Sequence, residues 1–363
     1  MQTRDERSLK RIHLTIDGQS LLGREGQTIL QVARENDIPI PTLCYHEKLE
    51  PIGSCRMCIV EVEGTPTPVT SCTTRITEGM VVATDTPLLY RLRRENLKLV
   101  FLRHPLNCAA CELNGNCDLQ DLAHQFDISH QDLHTYEVQA VDFGQQPWAT
   151  PLIEYHANRC ILCGRCVQAC TEITGVGALN FSGRGADTLI APVMLEQGLQ
   201  PECVSCGECM AICPVNALTE KLGKQKGKAW ETKKTKTVCT YCGCGCELEL
   251  NVVGDRITGV TPAKGGVNKG ALCAKGRFGY DFVNHKDRLR QPLIRRGGYW
   301  EEVNWDEALS YVAERLVDTV QEHGADAVGG LSSARCTNEE NYLFQKFVRG
   351  VIGTNNVDHC ARL

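Results

Sequence analysis

The spacing of the cysteines constrains this chain more than any other feature. Of 22 cysteines in 363 residues, nineteen fall, together with His104, into five consecutive groups. These are Cys44/Cys55/Cys58/Cys72, His104/Cys108/Cys111/Cys117, Cys160/Cys163/Cys166/Cys170, Cys203/Cys206/Cys209/Cys213 and Cys239/Cys242/Cys246/Cys273. Soft thiolates in tight groups select Fe–S centres, Cu(I) or zinc, and zinc carries no electrons. Grouped C-x2-C steps are hard to bridge internally, which argues against a disulfide framework. Structural zinc usually pairs two C-x2-C knuckles, whereas the first group is spaced C-x10-C-x2-C-x13-C. Five redox centres in succession read as an electron wire.

Composition sets the outer bounds. Apolar residues make up 42% and charged residues 23%, with a net charge of -5, ordinary values for a soluble protein. They give no reason to invoke nucleic acid or an anionic membrane as a partner. No stretch approaches the ~18 apolar residues of a membrane span, and residues 1–6 carry no apolar signal core or twin-arginine leader. The expected location is the cytoplasm, where thiols stay reduced and cysteine groups hold metal. Small cluster modules bury too little apolar surface alone, and ligation compensates.

The coarse pattern is α+β and multidomain. Ile12, Leu14 and Ile16 alternate before an Asp17-Gly18 turn, and Leu21-Leu22 begin the return strand of a hairpin. A short helix through Ile29, Leu30, Val32 and Ala33 must end before Pro39 and Pro41. Two strands and a helix, with the first cysteine group on loops, predict a β-grasp ferredoxin over 10–86. A helix over 88–103 carries Leu89, Leu92, Leu99 and Leu102, and Pro105 stops it just after His104. A cluster domain is expected over 87–127. Residues 150–220 hold an internal repeat (about 150–181 and 194–220), in which 158–170 and 201–213 match residue for residue in spacing. Residues 221–234 read as a lysine-rich, solvated linker, followed by a cluster domain over 235–291.

From 292 to 363 the texture becomes α/β. Asn304 and Glu307 open a helix, Leu309, Val312, Ala313, Leu316, Val317 and Val320 form its apolar stripe, and Gly324 ends it. Ala327-Val328 is the expected strand, and Gly329 to Ala334 the loop leading to a second capping box, Thr337 and Glu340. A strand, a glycine-serine loop and a helix N-terminus make a phosphate-site pattern, which an ordinary αβ connection shares.

The ligand sets differ in chemistry. Four thiolates in the first suit a [2Fe–2S] cluster. In the second, H-x3-C-x2-C-x5-C, an imidazole replaces one thiolate, which lowers the negative charge and should raise the potential. The third and fourth are each C-x2-C-x2-C-x3-C with Pro214 after the last cysteine, the two-cluster ferredoxin pattern in which the fourth cysteine serves the other cluster. That assigns Cys160, Cys163, Cys166 and Cys213 to one [4Fe–4S], and Cys203, Cys206, Cys209 and Cys170 to the other. The fifth is C-x2-C-x3-C-x26-C, and Cys244 within it competes as a ligand. Cys336 and Cys360 read as ordinary small buried residues.

These motifs carry a resemblance. The first group, with Gly53-Ser54-Cys55-Arg56-Met57-Cys58, resembles the N-terminal ferredoxin of the large Fe–S subunit of respiratory complex I and of related hydrogenases. The second resembles their cluster domain ligated by one histidine and three cysteines. The run from Val238 to Cys246 resembles the [4Fe–4S] motif that opens Mo/W bis-pterin oxidoreductases, which favours Cys246 over Cys244. The family's lysine between cluster and pterin matches Lys275. The whole chain is similar to the large subunit of cytoplasmic NAD-linked formate dehydrogenases, most specifically over 332–347 and 353–363.

That resemblance implies one [2Fe–2S] and four [4Fe–4S] clusters, and Mo or W bis-MGD in the full enzyme. It implies oxidation of formate to CO2 or the reverse, and a flavin- and NAD-binding diaphorase-type or hydrogenase partner subunit. Electrons would run from the pterin side by way of Lys275 through the ferredoxin-like pair to the His104 and [2Fe–2S] centres. Gly330, Ser332, Asn338 and Glu339 are the expected pterin-side residues. In the family the selenocysteine or cysteine metal ligand follows a segment like 355–363. The chain stops one residue short of it, so the expectation is a reading frame ended at a selenocysteine codon, with 1–363 alone inactive on formate. The rival is an electron-transfer subunit of a hydrogenase or complex I-like assembly with no catalytic centre of its own.

Overall fold

The Asp17-Gly18 turn sits at φ 47° and 79°, the left-handed pair that a two-residue hairpin needs. It joins β1 (Arg11–Ile16) to β2 (Gln19–Arg24), antiparallel. A computed structural model describes residues 10–133, 150–193, 203–222 and 227–360. Residues 1–6, the start of the second repeat at Pro201, part of the lysine-rich segment and the terminal Ala361-Arg362-Leu363 lie outside the described residues.

Thr28 caps α1 (Ile29–Glu35) through a reciprocal capping box with Gln31, satisfying two orphan N–H groups. With β3 (Ile59–Val62), β4 (Val69–Thr70) and β5 (Met80–Ala83), the hairpin forms a sheet of order β2-β1-β5-β3-β4, in which β1 and β5 run parallel. The apolar face of α1 packs on Leu14, Ile16, Val60 and Val82, and Cys58 and Cys72 belong to this same core. The first thiol set is therefore anchored in a hydrophobic cluster.

Helix α2 (Pro87–Phe101) departs from the expected leucine face. Its buried positions are Leu89, Arg93, Leu97 and Phe101, four apart, while Leu99 is 57% exposed. Steps of four keep one stripe inward, and the inward charge at Arg93 has a structural use described below. α3 (Asp118–Gln125) and α4 (His130–Leu133) follow.

The internal repeat is written in the backbone. Leu162 and Gly164 have φ 54° and 78°, and Ser205 and Gly207 have φ 49° and 79°. Each pair opens a one-turn helix, α5 (Arg165–Gln168) and α6 (Glu208–Ala211). β6 (Ile153–Tyr155) pairs antiparallel with β9 (Leu218–Glu220), and β7 (Leu179–Ser182) with β8 (Leu189–Pro192).

The modules interlock. Leu49, from the loop between Cys44 and Cys55, packs against Ala169, Ile173 and Ile212 of the repeat. Nearby, Gln168 donates to the Glu50 carbonyl at 2.6 Å and the Glu50 N–H donates to Glu172 at 2.9 Å.

The lysine-rich segment is more than a solvated linker. The Lys228 ammonium donates to the carbonyls of Cys111 (2.8 Å) and Ala109 (3.3 Å). Residues 233–238 form β10 (Lys233–Val238), the edge of a sheet with β11 (Glu247–Val253) and β12 (Arg256–Pro262). Its Lys/Thr alternation is that of an edge strand protected by charge, with Lys234 and Lys236 paired to Glu249 and Glu247.

The described chain divides into two units, to Lys233 and from Lys234. The second adds α7 (Ala274–Phe278), α8 (Asp281–Asn284), the hairpin β13 (Leu293–Arg296) with β14 (Tyr299–Glu302), α9 (Trp305–His323), β15 (Gly330–Ser332), α10 (Asn338–Phe347) and β16 (Val357–His359). Asn304 caps α9 and Thr337 closes a capping box on α10, as their residues predict. The strand expected at Ala327-Val328 falls later. Residues 325–327 are a 3-10 turn, and β15 occupies part of the expected loop, pairing parallel with β16. Gly330 permits this: a Cβ there would stand 2.8 Å from Val348. The stripe on α9 is uncovered within the described residues, with Leu309 61% and Val312 52% exposed.

Leu49 is 6% exposed. Leu49→Ala is expected to cost about 2–5 kcal/mol and to loosen the 44–55 loop, read as a lower unfolding midpoint with earlier loss of visible absorbance in the cluster-loaded protein.

Candidate iron–sulfur ligand sets

All 22 cysteines are free thiols, and Cys336 and Cys360, expected as small buried residues, are exposed instead. In the first set Cys44, Cys58 and Cys72 are buried and Cys55 half-buried. The Cys44 N–H donates to Cys55 Sγ at 3.4 Å, and the Cys58 and Cys72 sulfurs lie 3.2 Å apart. A hydrogen bond from Cys55 holds Cys44 down to about 5, and one from Cys72 holds Cys58 down to about 7, while Cys55 and Cys72 are pushed up in return. The two cysteines of each pair are close enough to hydrogen-bond, a contact that ligation of all four as thiolates would replace.

The loop is held from outside. Arg93, 4% exposed, donates to the carbonyls of Met57 (3.1 Å), Ile59 (2.6 Å) and Thr84 (3.0 Å). Asn96 donates to the Arg56 carbonyl at 3.1 Å. Sequence reasoning missed Arg93, and its signal was a charge in register with Leu89 and Leu97.

His104 is 8% exposed, and burial pushes its pKa down, favouring neutral imidazole. Its Nδ1 lies 2.8 Å from the Arg159 carbonyl. A carbonyl only accepts, so Nδ1 carries the proton and Nε2 keeps a lone pair, the arrangement of a ligating histidine oriented by its other nitrogen. Cys108, Cys111 and Cys117 are half-buried, and burial raises Cys108 and Cys117. Cys117 Sγ stands 3.7 Å from the Pro214 carbonyl, beside Cys213.

In the repeat, Cys170, Cys203, Cys206 and Cys209 line one cavity whose apolar wall includes Ile153, Val176, Leu179 and Val204. Burial pushes Cys209 well up, with the charges of Cys206, Cys203 and Cys170 adding to it. Burial pushes Cys163 up to about 12, and Cys213 is the largest charge acting on it. Cys166 is raised by burial and by Cys163, Cys213 and Cys160. The fourth cysteine of each run thus stands among the first three of the other.

In the fifth set, Cys239 follows β10, Cys242 to Cys246 form the turn into β11, and Cys273 caps α7. The Cys239 N–H donates to the Cys246 carbonyl at 2.8 Å. Burial, then hydrogen bonding with Cys244, raises Cys246 to about 11. The thiol charges acting on Cys239 are those of Cys273, Cys242 and Cys244, so Cys244 stands within the group alongside Cys246. Lys275 is exposed in α7, one residue before the buried Gly276, where a Cβ would stand 3.6 Å from Cys239 Sγ. Of the pterin-side residues, Gly330 lies buried under Val348 and Phe344, Ser332 is half-buried and hydrogen-bonded to Asn341, and Asn338 and Glu339 are exposed at the start of α10.

Among the described residues, no three His, Cys, Asp or Glu side chains converge on a point that fits a single metal ion. In a four-iron cluster each thiolate binds its own iron, so the sulfurs stand further apart than around one ion. The donor set is soft, the Cys170–Cys209 cavity is walled by four sulfurs and hydrocarbon, and His104 offers a neutral nitrogen. These residues fit Fe–S clusters.

Comparison with known proteins agrees in kind. Family models match as 2Fe-2S iron-sulfur cluster binding domain (9–87), NADH-ubiquinone oxidoreductase-G iron-sulfur binding region (93–132), NADH-quinone oxidoreductase subunit 3 ferredoxin-like domain (150–219), molybdopterin oxidoreductase Fe4S4 domain (232–285) and molybdopterin oxidoreductase (288–363). The chain is 39% identical over 352 residues to the NADPH-Fe(3+) oxidoreductase subunit alpha of Geobacter sulfurreducens, covering 97% of this chain and 40% of that protein. It matches the NADH-quinone oxidoreductase G-2 subunit of Rhizobium meliloti with the same identity and coverage. A chain of Staphylococcus aureus provisionally named a formate dehydrogenase is 34% identical over 396 residues, 96% of this chain and 39% of its own length. A solved NAD+-reducing [NiFe]-hydrogenase aligns with TM-score 0.52 and 31% identity, over 58% of this chain and 87% of that one. The chain spans about 40% of the length of the curated relatives it matches.

Cys213→Ala and Cys170→Ala test the crossed sets. Each is expected to remove one [4Fe–4S] signal, and Cys213→Ala to remove the signal that Cys163→Ala removes, read by iron content and EPR. Loss of the Cys206→Ala signal instead would mean uncrossed sets.

Proposed function

Because the chain belongs to the iron–sulfur oxidoreductase subunits of the NADH-quinone oxidoreductase-G and molybdopterin oxidoreductase type, we propose that it is the electron-conducting part of a larger pyridine-nucleotide-linked oxidoreductase. The observation that carries this is the chain of contacts joining successive ligand sets. Leu49 seats the [2Fe–2S] loop on the repeat, and His104 is fixed by the carbonyl that precedes Cys160.

In this reading the first set holds a [2Fe–2S] cluster and the other four hold [4Fe–4S] clusters, with Cys246 as the fifth set's third ligand. Such clusters supply one-electron transfer when bound. The protein's share is to exclude water, fix the ligands and set the local charge. His104 contributes a neutral ligand, Arg93 and Lys228 brace the loops, and Lys275 offers a cation beside Cys273. Ser332, Asn338 and Glu339 stand at a strand end and helix start that would face a bis-pterin cofactor of Mo or W. Gly330 serves packing there.

A second reading concerns substrate. Residues 332–347 and 353–363 resemble formate dehydrogenases, and one relative is provisionally named so, which favours formate at the pterin centre of the whole protein. Others are named for NADPH and NADH, which favours a nicotinamide-linked partner at the other end.

The test is anaerobic EPR on the whole protein with its partner subunits. Dithionite should reveal five cluster signals, and NADH or NADPH should reduce part of them. Formate doing the same supports the second reading. Nicotinamide reduction without any response to formate removes it and leaves the first, whereas absence of cluster signals under dithionite defeats both.

A further inference from the structure

Arg165 lies where three ligand sets meet. It opens α5 between Cys163 and Cys166. Its guanidinium is paired at 3.3 Å with Asp118, which follows Cys117. It also lines a cavity with Tyr45, His46 and Glu47, which follow Cys44, with Arg34, and with Asp121 and Leu122 of α3. Burial, then the charge of Arg165, lowers the pKa of His46.

The charge is poorly compensated. Arg165 is 6% exposed, and its Nε has no hydrogen-bond partner among the described residues. Its ion-pair partner is 56% exposed on its side chain, so solvent weakens that attraction. The other carboxylates lining that cavity, Glu47 and Asp121, are exposed as well, and a buried cation held only by solvated carboxylates is costly, so the site favours further negative charge nearby. The Fe–S clusters that the flanking thiolates are proposed to hold would bring that charge.

We propose that Arg165 is the shared counter-cation of this junction, a positioning residue that raises the reduction potential of the cluster on Cys160/Cys163/Cys166/Cys213 and, less strongly, of its His104- and Cys44-side neighbours. The inference rests on the reading that these sets hold Fe–S clusters. The physics is direct. One-electron reduction by dithionite adds one negative charge to a cluster with its thiolates. A fixed cation in a low-dielectric site stabilises the reduced form more than the oxidised form.

The sign separates this role from bracing alone. Both Arg165→Gln and Asp118→Asn break the ion pair, so a residue that only braced the modules would give the same change in both. As a source of charge, Arg165→Gln should move the midpoint of the Cys160-side cluster to lower potential. Asp118→Asn, which leaves the cation less neutralised, should move it higher, and Arg165→Lys should stay near the parent. The measurement is an EPR-monitored redox titration of the cluster-loaded protein with iron content determined for each variant. Shifts of the same sign, or unchanged midpoints with full iron content, overturn the inference. If Arg165→Gln loses iron, Asp118→Asn still decides by its upward shift or its lack of one. Missing cluster signals in the parent would instead defeat the underlying reading.

Discussion

A loop that turns several sulfurs toward one space leaves part of its own backbone without strand or helix partners, and the fold meets that constraint from outside. Unpaired carbonyls, above all the buried ones of Met57, Ile59 and Thr84, need donors, and here side chains of other elements supply them. Arg93 serves Met57, Ile59 and Thr84, Asn96 serves Arg56, and Gln168 serves Glu50. His104 serves Arg159, Arg103 serves Ala186 and Thr188, and Lys228 serves Ala109 and Cys111. Many of these donors are cations or their neutral relatives, so the groups that complete the backbone also place positive charge beside thiolate-rich loops.

The same donors make the modules interdependent. Each brace is supplied by an element outside the loop that it holds. The first thiol set is fixed partly by α2, which leads into the His104 region, and the His104 region is fixed by the residue before Cys160. Stability here is spread over contacts between small modules rather than concentrated in one large core. That suits domains too small to bury much apolar surface by themselves.

Much of this was legible in the sequence because ligand chemistry restricts spacing so tightly. The five sets, the Asp17-Gly18 hairpin, the caps at Asn304 and Thr337 and the repeat were readable from local pattern. What was not readable depended on distant partners. Arg93 drew no notice among the leucines of its helix, although its register with Leu89 and Leu97 places it inward. Lys228 and the start of β10 at Lys233 and Lys234 looked like solvated linker because lysine and threonine on an edge strand resemble solvated chain. The strand near 330 was misplaced by a few residues because its pairing partner, β16, is remote in sequence. Gly330 looked like a phosphate-loop glycine, yet its lack of a side chain is required by Val348 and Phe344.

The left-handed residues of the repeat carry one more consequence. Leu162 and Ser205 occupy the same position in the two halves at φ 54° and 49°, a conformation that costs a non-glycine residue about 1–3 kcal/mol. The two side chains share nothing in size or polarity, so it is the bend, not the residue, that both halves keep. The bend lies between the first two cysteines of each run, while the last cysteine of each run lies beside the other half's cysteines. Neither half is then a self-sufficient unit. In the proposed crossed sets each half would lend a sulfur and receive one, and the strand pair β6–β9 joins the two halves.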